Sequence, residues 1–403
     1  MPQDSGCHAR SRKFATEARQ SQITLQRILA STALILALSL AGCGSSGGSG
    51  SGGSGSGGSG SGGSGSGGGS NIYMAGTVAS AATGGDTATS WKNGTAINLI
   101  DGVSYTEASG IAVDSSGDIY VAGIVSPRSV QHTIATYWKN GAATNLTDGS
   151  SFAEAQAITV DSSGNVYVAG STTNVSASGY SPNTATYWKN GAATNMTDGS
   201  APASAYAIAV DGNGNVYVAG YTTNANAPVT DSIATYWKNG TATNLTDGTT
   251  YASANGIAVD GSDNVYVAGT FYSATTSKSI ATYWKNGTAT NLTDGTAEAD
   301  ANAIAVDSSG NVYVAGDKAN ASGDYMATYW RNGTATTLSG MSYASADAIA
   351  VDSSGNVYVA GETTNPSGST YNTIATYWKN GAATNLTGGL LDGGVSGIAL
   401  SSK

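Results

Sequence analysis

Seven tryptophans, Trp91, Trp138, Trp188, Trp237, Trp284, Trp330 and Trp378, recur 47, 50, 49, 47, 46 and 48 residues apart. A period in this range marks a repeat protein, in which one supersecondary unit buries its apolar face only by stacking on the next. Around each tryptophan, with small substitutions, the same segments return in order. They are Ile-Ala-Val-Asp, a turn, Asn-Val-Tyr-Val-Ala-Gly, a stretch of varying length, Ala-Thr-Tyr-Trp-Lys-Asn-Gly and Thr-Asn-Leu.

Each unit divides into four short strands. In one copy, 256–260 alternates Ile257 and Val259 with Ala258, and Asp260 to Asn264 turns, its Asp suited to bonding the amides ahead of it. Val265 to Ala268 forms a second strand. Ile280 to Trp284 forms a third and runs into Asn286-Gly287, the pair favoured in two-residue type I′ hairpins, and Thr290 to Leu292 returns as a fourth. No segment after the leader has a helical apolar period. Four antiparallel strands repeated at this spacing predict an all-β fold, a β-propeller whose closed ring removes the sheet edges that a row of hairpins would expose. Six complete first strands open at Ile111, Ile158, Ile208, Ile257, Ile304 and Ile349. Asn71 to Gly76 matches a second strand with no first strand before it, and Gly397 to Ser401 matches a first strand with nothing after it. We therefore expect seven blades, the last completed by pairing the C-terminal strand onto the three N-terminal ones.

The unit Ala-Ile-Ala-Val-Asp-Ser-Ser-Gly-Asn-Val-Tyr-Val-Ala-Gly, as at Ala303 to Gly316, resembles NHL repeats and the bacterial repeat class called SBBP. The resemblance covers roughly residues 71–401. It implies a bacterial propeller lipoprotein and does not choose among scaffolds, binders and enzymes. The Tyr-Trp-Lys-Asn-Gly segment departs from the usual NHL third strand.

Residues 1–42 read as an export leader. Arg10, Arg12, Lys13, Arg19 and Arg27 precede an apolar run from Ile28 to Leu40, too short to span a bilayer as a helix. Leu40-Ala41-Gly42-Cys43 resembles the bacterial lipobox, which implies that Cys43 is diacylglycerated and becomes the first mature residue. Two or three acyl chains hold a protein stably, at about 0.8 kcal/mol for each buried CH₂. Residues 43–70 are then the lipidated Cys and a Gly/Ser random-coil tether, and 71–403 the propeller. The expected location is an exported, membrane-anchored one, the outer membrane or cell surface in a diderm bacterium, where Gly44 after the Cys fits the sorting pattern. Cys7 and Cys43 are the two cysteines of the chain, so no disulfide or thiol chemistry is expected after processing.

Without residues 1–42 the chain keeps eleven basic and twenty-four acidic groups, a formal charge of −13 that disfavours nucleic acid. The same portion has one histidine, His132, and four glutamates, Glu107, Glu154, Glu298 and Glu362. No catalytic residue, metal or cofactor is expected, because no His/His/carboxylate set can be assembled and no thiol is free. Carboxylate chemistry on a carbohydrate, with Glu107 or Glu298, stays open as an alternative.

The two ends of such blades differ. The Asp and Asn-Gly turns share one end and are nearly identical from blade to blade, whereas the distances from the closing Gly to the Trp at the other end are 15, 15, 18, 17, 15, 14 and 17 residues. Loops of varying length carry function more often than a fixed framework does, so a protein or glycan ligand is expected on this variable face. Candidate contacts are Tyr180, Tyr221, Phe271, Tyr272, Tyr325 and Tyr371 in the loops, with Tyr105, Phe152, Tyr251 and Tyr343 at the crossovers. Such rings stack on sugars or anchor protein partners, or they plug blade junctions. The Trp and Tyr rows of the third strand are expected in the core. Asp114, Asp161, Asp211, Asp260, Asp307 and Asp352 should form turns. The Asp211-Asn213-Asn215 alternation lacks the twelfth-position Glu of a calcium loop, where Thr222 stands. Asp101, Asp148, Asp198, Asp247 and Asp294 should form a second set of turns, and the row Lys92, Lys139, Lys189, Lys238, Lys285, Arg331 and Lys379 a solvated basic ring. The leading expectation is a binding or scaffold module; a structural subunit of a surface assembly is its rival.

Overall fold

A computed structural model describes residues 70–80, 85–99, 105–127, 132–173, 182–223, 231–340, 343–364, 372–388 and 392–401. The expected leader, Cys43 and nearly all of the Gly/Ser tether lie outside these residues, as do Asp101, Tyr180 and Tyr371.

Seven four-stranded antiparallel sheets form a seven-bladed propeller, with no helix among the described residues. Blade 1 joins the two ends of the sequence, its strands lying in the order Gly393–Ser401, Asn71–Ser80, Gly85–Lys92 and Thr95–Asn98. Eight Cα pairs, from Asn71 with Ser401 to Val78 with Gly393, hold the C-terminal strand in first position. The expected closure is therefore observed.

In blades 2 to 7 the first strands are Tyr105–Val113, Ala153–Val160, Ala203–Val210, Ala252–Val259, Ala299–Val306 and Ser345–Val351. The second strands are Ile119–Ser126, Val166–Thr173, Val216–Thr223, Val265–Ser273, Val312–Ala319 and Val357–Thr364. First strands of adjacent blades touch all around the ring, including Gly393–Ser401 against Tyr105–Val113, so they line the axis. The four-residue fourth strands are exposed throughout and form the perimeter.

Why the strands pack this way is written in their two faces. Between blades 3 and 4, Tyr167, Ala169 and Ala185 of one blade meet Ile208, Val216, Val218 and Trp237 of the next. One face of each blade is thus lined with alanine, and the following blade fills the recess with indole. The same layer recurs at every junction. Every third-strand Trp is buried as expected; the third-strand tyrosines, such as Tyr187 and Tyr236, are half-buried at the edges of these layers, and the fully buried tyrosines belong to the second strands.

Each first strand also carries a β-bulge. Pairing slips by one residue between Ala108 and Gly110, and at the matching place in the other blades, leaving Ser109, Gln156, Tyr206, Asn255, Asn302, Asp347 and Ser396 as the extra residues. The bend drives a first-strand carbonyl at the partner strand. A Cβ at Gly123, Gly170, Gly220 or Gly316 would lie 1.9 Å from the carbonyl oxygen of Glu107, Glu154, Ser204 or Asp300. This clash explains the glycine that closes each Val-Ala-Gly, and it does so by contact distance.

Two outcomes follow from this architecture. Deleting residues 393–403 should open blade 1, strip its innermost strand and sharply lower the melting temperature read by circular dichroism; unchanged melting would contradict the closure. Trp237→Ala should cost about 3–5 kcal/mol in denaturant unfolding, since it empties the layer against an alanine face that cannot collapse.

Candidate functional site

The two ends of the ring differ in their side-chain chemistry as well as in loop length. At the uniform end, Asp260 Oδ1 accepts from the amides of Ser262 and Asn264, both at 2.9 Å, and Oδ2 accepts from Asn264 Nδ2 at 2.8 Å and Tyr266 OH at 3.1 Å. The Asn264 bond, joined by the backbone amides and the phenol, holds this carboxyl down at about 2. Asp211 is bonded in the same way, so its oxygens serve the turn. Asn286 and Gly287 both have positive φ, 49° and 83°, as a type I′ turn demands.

The basic row lies on rings as well as in solvent. Lys238 faces Tyr217 directly across the strand pair, and its Nζ sits 5.0 Å from that ring's centroid. The same contact recurs in all seven blades, with Arg331 over Tyr313 at 5.4 Å. This end is a closed framework of Asp, Tyr and Lys.

The variable end is different. Strand pairing there runs further than its polar sequence suggests and takes in several rings expected in loops. Tyr221 lies in a second strand, half-buried, its ring 5.7 Å from Tyr206. Phe271 and Tyr272 lie in the second strand of blade 5, where Ala252 pairs with Phe271, and Phe271 packs on the layer between blades 4 and 5. Tyr325 opens the third strand of blade 6 and is half-buried. These four are therefore corrected from loop to strand; continued ladder bonding satisfies the backbone there, and the rings find cover.

The crossover aromatics behave otherwise. Tyr105, Phe152, Tyr251 and Tyr343 occupy one equivalent position, two residues ahead of Glu107, Glu154, Ser253 and Ser345 at the start of the innermost strands. Phe152, Tyr251 and Tyr343 are 44%, 39% and 56% exposed, and Phe152 takes the edge of His132 at a centroid distance of 4.6 Å. Tyr105 is half-buried and donates its hydroxyl to Glu107 and, at 3.1 Å, to Asp86 of blade 1. The structure thus collects four of the predicted residues around the axial mouth.

Beside them is a set of groups of which sequence reading singled out Glu107 and Tyr221 and passed over the rest. At the position of Glu107 the other blades carry Glu154, Ser204, Ser253, Asp300, Ser345 and Gly394; the bulge residues differ likewise; and the residue after the second-strand glycine is Thr77, Ile124, Ser171, Tyr221, Thr270, Asp317 or Glu362. Three positions that vary among nearly identical repeats therefore meet at one end of the axis. Aligning the seven repeats against one another would have exposed them.

Several of these groups are carboxylates in protein-rich surroundings. Burial, with Asp86 and Glu154 nearby, pushes Glu107 up to about 7 against the lowering effect of the Tyr105 hydroxyl. Burial likewise raises Glu154, which accepts from Gln156 Nε2 at 2.9 Å. Across the mouth, burial and the charges of Asp347 and Asp300 raise Asp317, which accepts from the Ala346 amide at 3.0 Å and from Asn302 Nδ2 at 3.3 Å.

A raised acid implies a defined pH dependence. The folded chain holds a proton on Glu107 that the unfolded chain releases between about pH 4.5 and about pH 7. Its stabilising contribution is complete below that window and lost as pH rises through it. Thermal melting should fall across this range in the native chain and fall less in Glu107→Gln; identical slopes would contradict the assignment.

Comparison with known proteins bears on the fold. The family model for SBBP, a beta-propeller repeat, matches residues 149–175, 199–226, 292–317 and 344–366, the crossover and first two strands of four blades. No curated protein matches the chain. Among solved structures, a fucose lectin from Kordia zhangzhouensis in complex with methyl-fucoside is 12% identical, with a TM-score of 0.27 over 34% of this chain and 99% of that one. A puromycin-hydrolyzing peptidase of Mycobacterium tuberculosis is also 12% identical, with a TM-score of 0.49; the match covers 78% of this chain and about half, 52%, of the peptidase. A polysaccharide lyase, an ulvan lyase, gives 9% identity and a TM-score of 0.37 over 79% and 78% of the two chains. Likenesses with TM-scores this low carry no argument about the chain's activity, and a propeller fold by itself does not choose between enzyme and binder. What the chain shares with known proteins is the SBBP-type beta-propeller repeat, carried here on a seven-bladed ring.

Proposed function

We propose that this propeller is a non-enzymatic binding or scaffold module that presents its variable end to an extracytoplasmic protein or glycan, tethered to a membrane through acylated Cys43. One observation carries the reading: side chains that differ among otherwise repeated blades gather at the axial mouth, beneath exposed Phe152, Tyr251 and Tyr343. A framework needs no such variety, and exposed rings are suited to anchoring a ligand. The anchor is supported by the order of basic lead, apolar run and Leu40-Ala41-Gly42-Cys43.

A second reading draws on Glu107. A carboxylic acid that holds its proton to about 7 beside a second glutamate, Glu154, has the chemistry of a general acid, as a carbohydrate-active enzyme requires.

Glycan-array and protein pull-down screening should return a ligand whose capture is abolished in Tyr251→Ala/Tyr343→Ala at an unchanged melting temperature. Retained capture by that variant would defeat the binding-face reading. Release of reducing ends from polysaccharides, lost in Glu107→Gln, would favour the enzyme instead.

A further inference from the structure

The axial mouth joins an aromatic rim to an acidic wall. Tyr105 and Glu107, two residues apart in one innermost strand, share a side of it, and Phe152 stands immediately ahead of the strand that carries Glu154. Asp86, Glu107 and Glu154 gather on blades 1 to 3, and Asp300, Asp317 and Asp347 on blades 6 and 7.

Among the described residues, most of the chain's own cations are placed elsewhere. Seven of the described lysines and arginines lie over tyrosine rings at the opposite end. Lys278 pairs at 3.4 Å with Glu298, which holds in blade 6 the position of Phe152 and Tyr251, and Lys318 shares a groove with Asp294.

We infer that the mouth docks a basic polypeptide segment, its Lys or Arg heads directed to the axial carboxylates and its stems lying against Phe152, Tyr251 and Tyr343. The inference rests on the binding face proposed above and adds the charge and class of the partner. Beyond their burial, Asp317 is crowded by Asp347 and Asp300, and Glu107 by Asp86 and Glu154, and these neighbouring charges disfavour the ionisation of Asp317 and Glu107. An incoming cation reverses that repulsion, whereas a neutral sugar leaves it in place and an anionic polymer adds to it. Guanidinium and ammonium groups also stack on aromatic faces, the contact this protein already makes seven times with its own residues.

The test uses the full chain in detergent and fluorescence anisotropy with three labelled peptides, alternating Gly with Arg, Ser or Glu. The Arg peptide should bind, with an affinity that falls as salt rises, and the Ser and Glu peptides should not. Glu154→Gln/Asp347→Asn should weaken the Arg peptide about tenfold or more, and Tyr251→Ala/Tyr343→Ala about threefold. Asp118→Asn/Asp263→Asn, an equal change of charge at the other end, should leave binding unaltered. Should the first double variant fail to fold, Glu107→Gln is read in its place. No binding of the Arg peptide, or equal weakening by Asp118→Asn/Asp263→Asn, overturns the inference. A glycan or uncharged protein captured instead, and lost in Tyr251→Ala/Tyr343→Ala, overturns the basic partner while keeping the binding face; a captured ligand indifferent to both rim and wall variants overturns both.

Discussion

The ring is held by a mismatch between the two faces of each blade. One face ends in alanines and the other in a tryptophan, so neighbouring blades fit only in a single rotational sense, and seven such fits close the circle. Because every layer lies between blades, no blade has a complete core of its own. The C-terminal strand inherits its importance from this: Val395 completes the layer shared with Tyr358, Ala360 and Ala375, so the final closure buries apolar surface as well as making ladder hydrogen bonds.

The innermost strand carries a second constraint. Its bulge tightens the curve at the axis and leaves one extra residue per blade outside the ladder. The partner strand absorbs the distortion with glycine, and once that glycine is in place the bulged residue is free to differ. Ser109, Gln156, Tyr206, Asn255, Asn302, Asp347 and Ser396 show how widely it does. A rigid scaffold and a variable inner surface thus come from the same backbone feature.

Much of this was legible in the sequence, because the responsible signals are local. Asn286-Gly287 sets a turn through two positive φ angles, Asp260 builds one from its own side chain, and the tryptophan spacing counts the blades. The ends of the second strands were not legible, since Thr270 to Ser273 reads as a polar loop until Ala252 and Ser279 are known to pair with Phe271 and Tyr272. Nor was the acidic wall. Glu107 and Glu154 are separated by a whole repeat, and Asp86 belongs to the third strand of a blade whose first strand ends the chain, so only ring closure and the bulge register bring them together.

The acids at the axis run against the logic that governs the remainder of the molecule. At the uniform end the Asp that opens each turn of blades 2 to 7 is matched by amides and a phenol, and the carboxyl of Asp260 is held low as a result. At the mouth, burial holds Glu107, Glu154 and Asp317 high, with neighbouring acids adding to it at Glu107 and Asp317, a state that costs folding free energy whenever those groups ionise. Ser204 and Ser253 occupy the corresponding place in two blades without that cost, so the fold does not require acids there. Local departures from what stabilises a fold are expected where a protein meets something other than itself, and here the departures coincide with the rim where Phe152, Tyr251 and Tyr343 stand open to solvent.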